Sequence, residues 1–523
     1  ATPQRTADAA ASAGDDKPDG EEAPARKPAV KPVRIIFEGI RERATTLPLG
    51  MSADTPVIRP DGKTLVFRSR QGERDTLYSY TLDELAHEPP APHELAASTK
   101  AKADYAFTPD SKSVFYREGG KINSSPVESP KAKPLAVSAE LDVAFDAEKM
   151  VVFDEAWNTL NRRFFDPKFN GKDWAALRAR FRPQAEGART GDELRRIINL
   201  MIGELDASHS GIGKAPDEAE AAARAHVGDL GLRFDRTAYE AGRGLVIREV
   251  VTLGPANIAG VHVGDRLLAV DSTAIGPHDN LDHALLGKVG RRTVLRIEAG
   301  GGPARDVVVR PVTTQVAAGL LYRQWVNDRR AYVEKVSGGR IGYVHIADMS
   351  DASLAQLYID LDAQNQNRQG VVIDVRNNNG GYINGYALDV FTRKNYLTMT
   401  TRDLFPVPSR SALGQRALGL PTALVTNESS LSDAEDFTEG YRTLGLGKVV
   451  GQPTAGWIIY TGSQPLIDGS AVRVPGTRVE DNRGQTMEGH PRPVDLTVER
   501  PLGETETSRD AQLEAAVKLL VGT

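Results

Sequence analysis

Three short stretches of this 523-residue chain hold residue types able to do covalent chemistry. The first is Asp206-Ala207-Ser208-His209-Ser210-Gly211, a small polar run with one histidine at the end of an apolar-periodic segment. The second, Asn377-Asn378-Asn379-Gly380-Gly381-Tyr382, follows the continuous apolar run GVVIDVR. A polar loop with glycines at a strand's end can turn backbone N–H groups toward a ligand. No GxxxxGKS/T pattern accompanies it, which disfavours phosphate binding; a plain left-handed turn is the competing reading. The third is Glu428-Ser429-Ser430-Leu431-Ser432-Asp433, between the strand-like TALVTN and a helix beginning near Ala434. A serine on a tight strand-to-helix turn projects its Oγ, and the helix N-terminus adds positive potential and a free N–H from Asp433. Simple capping of that helix by Ser432 or Asp433 competes with this reading.

These stretches need rigid elements to position them. From about 316 to 523 the chain alternates apolar strands (RIGYVHI, GVVIDVR, TALVTN, KVVGQ) with amphipathic helices (LAQLYIDLDAQN, AEDFTEGYRTL), which predicts a parallel sheet covered on both faces. Active sites of such sheets lie beyond the carboxyl ends of the strands, where the second and third stretches fall. Residues 138–225 read as helical: Val151, Phe153, Trp157, Leu160 and Phe164 recur at helical spacing, as do Leu194, Ile197, Ile198, Met201 and Ile202. His209 follows directly. Residues 226–315 contain Gly254-Pro255-Ala256-Asn257-Ile258-Ala259-Gly260, a turn at Gly264-Asp265 and a strand with Leu267, Leu268 and Val270. In residues 33–137, TPVIRPDGKTLVFRSRQGERDTLYSYTLD and ADYAFTPDSKSVFYREGGKINSSPVES each show an alternating run, a Pro-Asp-Gly/Ser-Lys turn and a second alternating run. Repetition at about 40 residues is the spacing of propeller blades, and two blades cannot close a ring. The segment is therefore expected to be the end of a larger propeller or a small β unit packed on its neighbour, with unrelated hairpins as the competing reading. Residues 1–32, rich in alanine, proline and charge, are expected to be a disordered lead-in. They show no basic region followed by an apolar one, so they are not a signal peptide as they stand; a removed signal and a fragment of a longer chain both stay open. The fold class is thus multidomain α+β.

Composition removes whole classes of function. Lys and Arg total 65 against 70 Asp and Glu, a net charge of −5, so nucleic acid is not an expected partner. No apolar run approaches the roughly 18 residues of a membrane helix, so membrane insertion is not expected. With no cysteine, disulfides, thiolate metal sites and a cysteine nucleophile are excluded. The nine histidines form no HExxH or other close pair, so no metal site is expected. His345 in GYVHIAD is expected as a satisfied histidine in or near the sheet. Asp374 can orient a loop, Arg376 can pair with it, and Trp457 is expected to pack rather than to wall a substrate.

The string from Gly254 to Asp271 closely resembles PDZ domains. That resemblance implies that the Gly228-to-Phe234 loop, with Gly231, Leu232 and Phe234, offers N–H groups to a peptide carboxylate beside an open strand edge. RNNNGG, NESSLSDAEDF and GLGKVVGQPTAGW together resemble the tricorn and carboxyl-terminal processing serine peptidases. Aligning Glu435 and Gly451-Gln452-Pro453-Thr454 with the family's SASE…GEPT pattern implies Ser432 as the nucleophile. The processing branch's lysine base has no counterpart, Trp457 standing in that region. The tricorn branch is similar in its Ser-His pair before the PDZ domain, matching Ser208-His209, and in a glutamate near the C-terminus, matching Glu488-Gly489. It implies a ClpP/crotonase-like sheet, a Ser432–His209–Ser208–Glu488 tetrad and an oxyanion hole from Gly380 or Gly381 and Asp433. A serine hydroxyl needs such an imidazole to remove its proton, and His490 is the rival base. The implied activity is peptide hydrolysis through an acyl-enzyme, without cofactor, on peptides or unfolded chains. A silent peptide-binding scaffold and an esterase are the alternatives. The resemblance is compatible with a homo-oligomer, and it suggests a periplasmic or secreted location, with the cytoplasm as alternative.

Overall fold

The computed structural model describes residues 35–38, 47, 49–71, 74–83, 90–137, 142–214, 226–300, 302–364 and 368–522. The expected lead-in, 1–32, lies outside them. The chain divides into two compact units, residues 1–139 and 140–523.

In the first unit the sequence repeat is a structural repeat. Strands Asp54–Ile58, Thr64–Gln71, Arg74–Thr81 and His93–Ser98 make one four-stranded antiparallel sheet, and Lys102–Phe107, Ser113–Glu118, Lys121–Pro126 and Lys133–Pro134 make a second. The two matching turns use the same device: Asp61 Oδ1 accepts Lys63 N–H at 2.9 Å and Asp110 Oδ1 accepts Lys112 N–H at 3.1 Å. Val66, Leu77, Leu95, Tyr105, Val114 and Tyr116 from both sheets share one core. The wholly buried Lys102 is satisfied by Asp75 O at 2.8 Å and Glu118 Oε1 at 3.0 Å, one from each sheet. No closed ring of blades is formed among the described residues.

The second unit begins with helices Phe145–Arg163, Trp174–Gly187 and Gly191–Gly203, packed around Phe153, Leu160, Trp174, Leu194, Ile198 and Met201. Val151, expected on the buried face, is 43% exposed, and its neighbour Val152 is buried in its place. Leu466, Val472 and Val474 join this core from the hairpin Ile459–Pro465 and Ala471–Arg478, whose second strand pairs with Gly211–Gly213. The chain's late hairpin is thereby sewn to the segment just after His209.

Residues 232–309 form a six-stranded antiparallel sheet around Leu232, Ile247, Leu267, Leu295 and Ile297, with Leu232–Phe234 at one edge. Strands Ile341–His345, Gly370–Asp374, Thr422–Thr426 and Gly447–Gly451 then make a parallel sheet, as the four apolar runs predict, and Leu496–Thr497, absent from that reading, adds a fifth parallel strand at its edge. Alternate residues serve opposite faces. Val371, Ile373 and Leu424 pack under helices Asp351–Gln364, Asn384–Thr392 and Asp433–Thr443, while Val372, Ala423 and Val425 pack under Thr314–Ser337 and Ala511–Val521. The hairpin 459–478, absent from the sequence reading, leaves this sheet for the three-helix unit.

Candidate active site

Behind the parallel sheet's carboxyl end lies a buried charge network. Arg376, wholly buried, binds Asp374 (Nη2 to Oδ2, 2.6 Å) and Asp510 (Nη1 to Oδ2, 3.0 Å). Burial opposes the charge of Arg376, but the two carboxylates outweigh it and raise its pKa. Burial likewise works against ionised Asp374, and Arg376 reverses this, holding the carboxyl below its ordinary value of 3.8. Arg376 thus anchors the chain from which the glycine loop springs, as the expected pairing with Asp374 requires. His345 is buried in the adjacent strand, but it is not fully satisfied as expected: its Nε2 meets Tyr322 Oη, while its Nδ1 has no hydrogen-bond partner among the described residues.

Asparagines fix the two loops to each other. Asn377 N–H donates to Asn427 Oδ1 at 2.9 Å, and Asn427 Nδ2 returns a bond to Asn377 Oδ1 at 2.9 Å. Asn378 Nδ2 donates to Ile346 O, and the Asn378 main-chain carbonyl accepts Leu431 N–H, each at 2.9 Å. Gly380 N–H is spent on Asn378 Oδ1 at 2.9 Å, so of the two glycines expected to donate, Gly381 is the one whose amide has no acceptor among the described residues. Gly381 itself is exposed, and a Cβ there would meet Met349 O at 2.0 Å. Only glycine fits this bend.

The serines separate by environment. Ser430 is wholly buried and donates to Val375 O at 2.8 Å, whereas Ser429 is exposed. Ser432 adopts φ 58 and ψ −129, a conformation costly for a residue with a side chain, and makes no side-chain cap bond to the helix it begins. The Asp433 carboxylate also leaves that helix, accepting Asn384 N–H at 3.0 Å. Neither residue therefore uses its side chain as a cap. Gly380 presses against the serine: a Cβ on it would lie 2.4 Å from Ser432 Cβ. Asp433 N–H has no hydrogen-bond acceptor among the described residues.

His209 is placed by the helix before it. Thr190 caps helix Gly191–Gly203, and Asn199 on that helix clasps Ile212 through both its N–H (2.8 Å) and its carbonyl (3.1 Å). The loop between is closed so tightly that Asp206 and His209 take φ of 50 and 57. Ser208 Oγ lies 2.7 Å from His209 Nδ1. Glu488 accepts Ser208 N–H at 2.7 Å, Ser208 Oγ–H at 3.0 Å and Ile458 N–H at 2.8 Å. The residue before Ile458, Trp457, gives its carbonyl to Ser432 N–H at 3.0 Å and its N–H to Glu435 Oε1 at 2.7 Å. One segment therefore joins the serine turn to the Ser208–His209–Glu488 group. No hydrogen bond links Ser432 Oγ to His209 in this arrangement.

Burial, and after it the positive charge of Arg473, lowers the His209 pKa to about 4. The imidazole is neutral at physiological pH, the state in which it can accept a proton. His490 instead sits exposed, its Nδ1 at 2.9 Å from the carbonyl of Glu488. Trp457 departs from expectation. Its side chain does not fill the core; the residue is 55% exposed, because the segment is held by its backbone.

At the sheet edge of residues 232–309, Phe234 is half-buried and Leu232 buried. Gly231 N–H is already bound to Asp229 Oδ1 at 2.7 Å, so it is not free for a carboxylate, contrary to the loop's expected use. Sequence reasoning did not single out Asn384, Asp436, Tyr460 or Arg473. Their only signal is nearness to the serine turn or to His209 in three dimensions.

Among described residues no helix is long and apolar enough to cross a membrane and no cluster of metal-ligating side chains occurs. Residues 340–498 match the family model "Peptidase family S41", 145–203 match "Tricorn protease C1 domain" and 228–302 match "PDZ domain". The chain is 30% identical over 380 residues to tricorn protease homolog 1 of Streptomyces coelicolor, covering 71% of this chain and 35% of that protein. It is 26% identical over 443 residues to the tricorn protease of Thermoplasma volcanium, covering 81% of this chain and 41% of the relative. A crystal structure of the tricorn protease superposes with a TM-score of 0.75 at 22% identity, over 88% of this chain and 46% of the other. The chain therefore spans less than half the length of these relatives.

Proposed function

Because the chain is of tricorn type, with an S41 peptidase domain and a PDZ domain, we propose that it hydrolyses peptide bonds in peptides or unfolded chains. In this reading Ser432 Oγ attacks the scissile carbonyl while His209 takes its proton. Ser208 relays between the imidazole Nδ1–H and the Glu488 carboxylate, fixing the tautomer and stabilising the imidazolium. The N–H groups of Gly381 and Asp433 receive the oxyanion. His209 then returns the proton to the departing amine, and water releases the acyl group by the same route reversed. The observation that carries the reading is the Ser208–His209–Glu488 chain, with bonds of 2.7 and 3.0 Å, tied through Trp457 and Ile458 to a serine held at φ 58.

We read the two four-stranded sheets of the first unit as propeller blades, supported by their shared turn chemistry. The PDZ edge strand Leu232–Phe234 is proposed to receive a substrate segment as an added strand. The test is labelling of the folded protein with a fluorophosphonate probe and mapping of the modified peptide. Labelling at Ser432 that disappears in His209→Ala is expected. A folded protein that resists the probe would instead be a peptide-binding scaffold.

A further inference from the structure

The two oxyanion donors belong to different loops, Gly381 after strand Gly370–Asp374 and Asp433 at the start of helix Asp433–Thr443. An error of about 1 Å in such a site can cost on the order of 100-fold in rate. Something must therefore hold the two loops at a fixed separation. We propose that Asn384, Tyr460 and Asp436 are positioning residues that keep the two donors in register through the carboxylate of Asp433. The inference rests on the peptidase reading above.

The connection is continuous. Asp433 is 1% exposed, and both its oxygens serve Asn384, which lies three residues beyond Gly381. Oδ2 accepts the Asn384 backbone N–H at 3.0 Å and Oδ1 accepts its Nδ2 at 2.5 Å. The donor loop and the nucleophile's helix are thus clasped by a single carboxylate. Tyr460, on the hairpin strand that continues the Trp457–Ile458 segment, adds a third element. Its hydroxyl lies 2.9 Å from Asp436 Oδ2 and 3.4 Å from Asp433 Oδ1.

The Tyr460 hydroxyl has one proton and two carboxylates within reach. Asp436 is faced by Asp433 and Glu435 on its own helix, by Tyr460 on the hairpin and by Arg492, which is itself 3.2 Å from Glu439. Burial raises the Asp436 carboxyl to about 7, with the Tyr460 hydrogen bond and Arg492 opposing and the two acidic neighbours adding to it. Below that pH, protonated Asp436 donates to the Tyr460 oxygen, and the tyrosine proton is free for Asp433. Above it, ionised Asp436 draws the tyrosine proton to itself, and two carboxylates face each other across one hydroxyl. The clasp on Asp433 weakens, and transition-state binding weakens with it, while ground-state binding is unaffected.

The experiment follows kcat and KM of the full chain on fluorescein-labelled denatured casein through neutral pH, for wild type, Asp436→Asn, Tyr460→Phe and Asn384→Ala. Wild-type kcat is expected to fall as pH rises through about 7, and Asp436→Asn, permanently neutral, to stay level over that range. Tyr460→Phe and Asn384→Ala each lower kcat roughly tenfold with KM nearly unchanged, a fraction of the loss expected for removing a donor outright. Tyr460 is 42% exposed, so the phenylalanine variant is expected to fold even if another does not. An Asp436→Asn profile that declines like wild type, or folded Tyr460→Phe and Asn384→Ala with wild-type kcat, overturns the inference alone, provided the fluorophosphonate labels wild-type Ser432. Failure of that labelling would remove the peptidase reading and this inference together.

Discussion

Replacing Gly380 by alanine tests whether the glycine loop sets the position of the nucleophile. The added Cβ would lie 2.4 Å from Ser432 Cβ and 2.9 Å from both Asp433 N and Leu431 O. Carbon atoms in contact normally stand about 3.5–4.0 Å apart, so the loop or the serine must retreat by about 1 Å or more. These three neighbours are backbone atoms and the root of a side chain, which have no flexible end to swing away. A displacement of that size at a reacting atom costs on the order of 100-fold, or about 3 kcal/mol in the barrier. Stability falls as well: Gly380 sits at φ +85, where a side chain costs about 1–2 kcal/mol, and overpacking adds about 1–3 kcal/mol. Gly484→Ala supplies the control, since φ there is +76 and nothing lies within 4 Å of the added atom. Acylation would be followed by the burst from a p-nitrophenyl ester, and stability by urea unfolding. Both variants should lose stability, Gly380→Ala the more, but only Gly380→Ala should acylate about 100-fold more slowly. A folded Gly380→Ala with a wild-type burst, or an equal slowing in Gly484→Ala, would refute the reasoning.

The acid limb of kcat/KM should lie near pH 4, where His209 becomes protonated and ceases to be a base. Arg473→Gln removes a positive charge that disfavours the imidazolium, so the limb should move up toward 6.5, measured as a pH–rate profile; an unmoved limb would show that Arg473 does not act on His209. Glu488→Gln keeps the shape but offers one accepting oxygen where three donors converge, so kcat should fall on the order of 100-fold with the fold intact by circular dichroism. Asp510→Ala leaves Arg376 buried with one carboxylate fewer, and should destabilise the second unit by about 3–5 kcal/mol in urea unfolding. Because Asp374 is held below its ordinary 3.8, its contribution to stability is complete above that pH and is lost as pH falls further; acid titration of unfolding should show this loss and Asp374→Asn should lack it.

The parallel sheet was legible because strands covered on both faces must be apolar throughout, and GVVIDVR and TALVTN are nearly so. The repeat in the first unit was legible because an Asp-Gly/Ser-Lys turn closes through a local bond from the aspartate, and that chemistry is written in four adjacent residues. Local chemistry also marked the glycine loop, the serine-bearing turn and the Ser208-His209 pair as candidates. Between Ser429, Ser430 and Ser432, however, local spacing could not choose, and only the resemblance to the SASE…GEPT pattern implied Ser432. The tertiary structure separates them, because Ser430 is enclosed beside Val375 and Ser432 is turned to φ 58 against Gly380.

The same division holds for the glycines: Gly380 and Gly381 are equivalent in the sequence, and the Asn378 side chain takes the amide of one of them. Trp457 reads as a core residue by type, yet its segment is fastened through backbone bonds to Glu435 and Ser432, which leaves the indole free of the core. The hairpin 459–478 carries little apolar periodicity of its own, and its place follows from pairing with Gly211–Gly213. Glu488 meets Ser208 only because that pairing folds residues 280 positions apart onto each other. By itself the sequence determined what short-range forces and burial patterns decide: elements, turns and reactive residue types. Which side chains meet, which amides remain unpaired and which ionisable groups lose their water depend on contacts between distant segments, and only the tertiary structure decided those.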